Sequence, residues 1–138
     1  MKFKALIGVA LVLALSHSVS FAGGIKCNPN GNQMEMNQCA LDDYQAADKK
    51  LNDTWKKLMD KFKSDKTATA KLKAAQKAWI AFRDADVEAT FACDAKDAPC
   101  WGSIEPMLRS GELQALTEAR TERLQKYIDN GLGVSLGQ

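Results

Sequence analysis

The stretch LKAAQKAWIAFRDAD, residues 72–86, decides how this chain folds, and it does so through two residues that look misplaced. Turned by about 100° per residue, Leu72, Ala75, Trp79 and Phe82 fall on one stripe, as a helix with one face in a core requires. Gln76 and Arg83 lie inside that stripe, flanked by Trp79, and Asp86 follows three residues after Arg83. An amide and a guanidinium at core positions demand hydrogen-bonding partners from whatever packs against this helix.

Working outward, the flanking segments carry the same signature. Upstream, Met36, Ala40, Tyr44, Ala47, Leu51, Trp55, Leu58 and Phe62 step by threes and fours, which predicts a helix from about Met34 to Lys63. A polar hinge, Ser64 to Thr69, leads into a second helix over roughly Ala70 to Phe91. CDAKDAPCWGSIEP, with Pro99, Gly102 and Pro106, reads as a loop pinned by two cysteines. A third helix runs from about Met107 or Gly111 to Asn130, stopped by Gly131. Strand signals are absent. The reading is all-α, a small antiparallel three-helix bundle.

Each helix offers polar groups to the shared interior: Asn37 and Asp48 border the first stripe, and Arg120 sits among Leu113, Leu116, Leu124 and Tyr127 in the third. Buried charge is tolerated only when paired and hydrogen-bonded. The economical expectation is one network in which Asp48, Asp86 or helix-end carbonyls answer Arg83 and Arg120, while Gln76 and Asn37 fill the remaining positions. Its first role would be to fix helix register. An arginine reaching an anionic ligand is the functional alternative.

Composition narrows the chemistry. Lys2 and Lys4, the apolar run Ala5 to Leu15 and the sequence Ser20-Phe21-Ala22 form a secretory leader, so residues 1–22 are expected to be removed and 23–138 to form one domain. Lys26 before Cys27 argues against a lipoprotein, and the 11-residue apolar run is too short to span a bilayer. The expected location is the periplasm or the exterior, with no integral membrane segment after cleavage. His17, the sole histidine, leaves with the leader, which excludes Ser-His-Asp and Cys-His catalysis and most zinc sites. With 17 basic and 17 acidic residues remaining, the mature chain is neutral and gives no reason to expect a nucleic-acid partner. No cofactor or metal is expected, and the chain reads as a non-enzyme.

All four cysteines survive processing. In an oxidising compartment they read as two disulfides; of three pairings, the local ones, Cys27–Cys39 and Cys93–Cys100, are expected, each adding roughly 2–3 kcal/mol. Charge is also segregated. Lys49 to Lys77 carries ten lysines against three aspartates, and Asp84 to Glu118 carries eight acids against two bases. The molecule should therefore be electrically polar, with an acidic end around the cysteine loop. Asp94, Asp97, Glu105 and Trp101 are the candidate partner-binding residues there, with Trp101 as an aromatic anchor. The simpler alternative is that Trp101 caps the bundle and the charges solvate two faces.

The segments MNQCALDDYQAADKKLN (36–52), LKAAQKAWIAFRDA (72–85) and LQALTEARTERL (113–124) together resemble the DUF1311 family of small secreted bacterial proteins named after the lysozyme inhibitor LprI. The family pattern MNxC, YxxADxxLN, AQxAWxxFRDxxC and LTxxR falls on Asn37, Cys39, Tyr44, Asp48, Leu51, Asn52, Gln76, Trp79, Phe82, Arg83, Asp84, Thr117 and Arg120. The chain departs from it at Val87 and Glu112, where the family commonly has cysteines. Their joint loss suits a pair bonded to each other and supports Cys27 pairing with Cys39. The resemblance implies a binding protein that blocks a lysozyme or another cell-wall hydrolase. The alternative is an envelope interaction or immunity protein, directed for instance at a secreted toxin.

Overall fold

The structure, a computed structural model, describes residues 24–94, 96 and 100–133. The leader expected at 1–22 lies outside the described residues. Helix α1 spans Gln33–Lys61, α2 spans Lys66–Thr90, and a short 3-10 turn, Gly102–Ile104, leads into α3 at Glu105–Asn130. Each connection reverses direction, so α2 runs antiparallel to both neighbours and α1 runs parallel to α3. Gln33 lies against Met107 at one end of that parallel pair, and Lys61 Nζ donates to the Ile128 carbonyl at the other. The expected three-helix bundle is what forms.

The ends follow from local chemistry. Asn32 caps α1, accepting from the Met34 and Glu35 amides, while the Glu35 carboxylate accepts from the Asn32 amide; this is a closed capping box. Helix α2 starts earlier than the expected Ala70, because Asp65 accepts from the Ala68 amide at 2.8 Å. The expected hinge Ser64–Thr69 shrinks accordingly to a tight turn. Helix α3 also starts earlier than Met107, since Pro106 sits in its first turn, where a missing amide costs nothing. Gly131 ends it at φ 82°, a left-handed conformation that favours glycine.

Packing is uneven. The parallel pair α1–α3 is the closest contact, because its seam is lined by small buried residues: Ala47 and Thr54 on one side, Ser110, Thr117 and Thr121 on the other. Helix α2 stands farther off and fills the gap with long side chains. The aliphatic core, Leu51, Leu58, Leu72 and Leu124, is ringed by Trp55, Met59, Phe62, Trp79, Tyr127 and Ile128. It lies toward the α1–α2 turn. One expectation about α2 is corrected: Ala75 is exposed and Phe82 is 56 % exposed. The inward stripe is Leu72, Gln76, Trp79, Arg83 and Val87, so the polar pair sits on the inward axis and the phenylalanine outside it.

Candidate interaction site

The inward polar residues form a seam along α2. Arg120 Nε donates to Gln76 Oε1 at 3.0 Å, joining α3 to α2. Arg83, whose side chain is only 12 % exposed, donates from Nε and Nη2 to Asp84 Oδ1 and approaches Asp48 on α1 at 3.9 Å. Both guanidinium groups lie over the Trp79 ring, at 5.3 Å for Arg83 and 5.7 Å for Arg120. The indole thus separates two cations and attracts each through its π face. Among the described residues, Arg120 Nη2 and Thr117 Oγ1 are buried without a hydrogen-bond partner. Loss of water, and secondarily the nearby Arg123 charge, push the Arg120 guanidinium below its ordinary pKa, against an opposing pull from Tyr127.

Two residues expected in this network stand apart from it. Asp86 makes no ion pair among the described residues; its backbone carbonyl accepts from the Thr90 hydroxyl. The neighbouring Asp84 reaches Arg83 instead, because its carboxylate follows directly in the chain. Asn37 serves the far end, donating from Nδ2 to the Ser103 carbonyl at 2.9 Å and accepting from Gln33 at 2.8 Å. It fastens the 3-10 turn to α1.

That far end is a built structure. Cysteine pairs Cys27–Cys39 and Cys93–Cys100 are both disulfides. Phe91 is buried and meets Trp101 edge to face at 5.5 Å, while the Arg109 guanidinium covers the Phe91 ring at 4.9 Å. Arg109 also bonds Glu105 on its own helix and Glu88 on α2, both at 2.7 Å. These carboxylates, Glu105 first, hold its pKa above the ordinary value. Trp101 keeps 39 % of its surface exposed, so it both packs against Phe91 and presents a ring to solvent. Asp94 is exposed and accepts from the Lys96 amide. Glu105 is occupied by Arg109. Asp97 lies outside the described residues.

The sequence reading missed Arg109 and Phe91. The spacing Glu105–Arg109, four apart on a helix, was the available signal for the first. On the α1–α3 face turned from α2 there is also a groove of about 820 Å³, floored by Ala47, Thr54 and Thr121. Asp43, Glu118 and Glu122 stand on its rim with Lys50 and Lys126. Among the described residues no cluster suited to a metal ion occurs, and no helix is long and apolar enough to cross a membrane.

Comparison with known proteins adds two matches. Residues 26–124 match the model of the family described as Lysozyme inhibitor LprI. Over 115 residues the chain is 37 % identical to Uncharacterized protein R02472 of Rhizobium meliloti (strain 1021), covering 75 % of this chain and 79 % of that protein. No solved structure matches.

Proposed function

Starting from the fact that the chain belongs to the LprI family, we propose that it is an exported, non-catalytic protein that binds and blocks a lysozyme-like cell-wall hydrolase. Removal of residues 1–22 and residence in the periplasm or outside the cell are part of the proposal. The observation that carries it is the acidic, disulfide-braced end. There a half-exposed Trp101 is held edge to face against Phe91, in the half of the bundle where the described residues are mostly acidic. Lysozymes are commonly basic with carboxylates in the cleft, so an acidic surface steers encounter, and a rigid aromatic supplies a low-entropy anchor. Inhibition of this kind needs no reactive group, only a surface held in place.

A turbidity assay on cell-wall substrate, with c-type and g-type lysozymes, tests the reading. Inhibition should appear at near-stoichiometric ratios with at least one enzyme. Asp94→Lys and Trp101→Ser should each weaken it tenfold or more, with the helical circular dichroism retained. Undiminished lysis at a large molar excess over both enzymes would remove lysozyme as the target and leave an envelope or immunity role for the same surface.

A further inference from the structure

The opposite end of the bundle carries a site of its own, and the argument for it does not depend on the proposed lysozyme target. Folding gathers the lysine-rich segments into one pole. Residues 49–77 and 119–133, which share that half of the bundle, hold thirteen basic residues against five acidic. In the other half, the described residues hold eleven acidic against four basic. Few of the lysines at this pole are neutralised within the molecule. Lys49 and Lys56 share Asp53, and Lys63 meets Asp60. Lys66, Lys71, Lys73 and Lys77 are exposed on α2 with no ion pair among the described residues.

Within this pole, between the first turns of α2 and the last turns of α3, lies a hollow of about 480 Å³. Ala68, Leu72, Ala75 and the 42 %-exposed Leu132 give it an apolar lining, and Lys71 and Arg123 supply two cations. Arg123 Nε is turned onto the Tyr127 hydroxyl at 3.0 Å, and its guanidinium lies over that ring at 4.9 Å. Its terminal nitrogens make no hydrogen bond within the described residues.

We infer that this basic pole is a docking surface for anionic phospholipid headgroups, with the Lys71–Arg123 hollow taking a phosphate and the adjoining glycerol and upper acyl carbons. Separate exposed cations without ion pairs, such as Lys66, Lys71, Lys73 and Lys77, suit a surface that offers many phosphates, whereas a free anion calls for donors converging on one point. The apolar lining and the exposed Leu132 have no use for a free phosphate and match the hydrocarbon just beneath it. Charge segregation also sets the orientation. Helix α1 is about 40 Å long, several times the Debye length of about 8 Å at physiological salt. The acidic pole therefore stands beyond the field of the surface and faces away from it.

The test is co-sedimentation of the processed protein with vesicles of phosphatidylcholine alone or with 30 mol % phosphatidylglycerol. Binding should be at least tenfold stronger to the anionic vesicles, should fall steeply with added salt, and should survive millimolar inorganic phosphate. Lys71→Glu combined with Arg123→Glu should reduce it tenfold or more, and Leu132→Ser several-fold, with circular dichroism checking the fold. If the first pair unfolds the protein, Lys73→Glu with Lys77→Glu applies the same test from exposed positions. Equal binding to both vesicles, no binding to the anionic ones, indifference to charge reversal, displacement by inorganic phosphate, or tighter binding to a DNA oligonucleotide would each overturn the inference.

Discussion

Arg83 and Arg120 share one tryptophan but differ in what they contribute. Arg83 spans two helices with partners that water also reaches, Asp84 at 58 % and Asp48 at 41 % side-chain exposure. Those ion pairs are weak, and much of its value lies in the stack on Trp79. Arg83→Leu should cost about 1 kcal/mol and lower Tm by roughly 4 °C, measured by thermal circular dichroism. Arg120 is the opposite case. One bond to Gln76 does not compensate a guanidinium with a buried, unpartnered Nη2. Arg120→Met keeps the bulk over Trp79 and removes the desolvated charge, so Tm should hold or rise. The sign of the pH effect follows from the depressed pKa. A base whose folded pKa lies below its unfolded one costs stability while charged, and recovers it only as pH rises through the folded value. An arginine stays charged across neutrality, so the difference between the two proteins should be flat from pH 5 to 9. Equal losses from both substitutions would refute this division of roles.

Among the elements, α2 depends most on a single cap. Asp65 closes the turn from α1 and satisfies the Ala68 amide, and the connection that it anchors is short. Asp65→Ala should cost about 1 kcal/mol and speed hydrogen exchange in the first turn of α2. Asn32→Ala should cost less, because the Cys27–Cys39 bridge still holds the start of α1. The same cap shows where sequence reading succeeds and where it fails. The three helices were legible because Leu51, Leu58, Leu72 and Leu124 recur at helical spacing, and the inward placement of Gln76 and Arg83 was legible from the wheel. The start of α2 was not, since Asp65 followed by Lys66-Thr67-Ala68 looks like ordinary hinge polarity until its carboxylate is seen on an amide. Phe82 misled because hydrophobicity alone placed it inward, whereas the helix turns Arg83 in and leaves the ring in water. The α1–α3 seam was hidden too: Thr54, Ser110, Thr117 and Thr121 count as polar in any pattern, yet their small size lets two parallel helices close up. At the acidic end, the cysteine spacing made both local disulfides legible. The Arg109 clasp across Glu88 and Phe91 required the fold, because its partners are far apart in sequence.

At the scale of the molecule, charge and stability are both polarised, and along the same axis. The charge polarity bears on association: with a basic lysozyme, the on-rate should fall several-fold between 50 and 500 mM salt while the off-rate changes little, by stopped-flow fluorescence. The stability polarity bears on how the protein comes apart. The four buried leucines lie in the half nearest the α1–α2 turn, whereas among the described residues the acidic end buries only Val87 and Phe91 as large apolar groups. Both disulfides sit at that poorer end, closing loops across sequence separations of 12 and 7. Bridges of this size contribute roughly 2–3 kcal/mol each, comparable with what so small a core supplies. Reduction should therefore loosen one end before the other. Hydrogen exchange in residues 33–40 and 100–108 should accelerate tenfold or more in dithiothreitol, while 55–62 and 120–127 stay protected and helical content falls little. Because the proposed inhibitory surface is built on the loosened end, inhibition should disappear under the same conditions, ahead of any loss of vesicle binding at the basic pole. Uniform acceleration along all three helices would mean that the bundle opens as one unit and that the two ends are not separately supported.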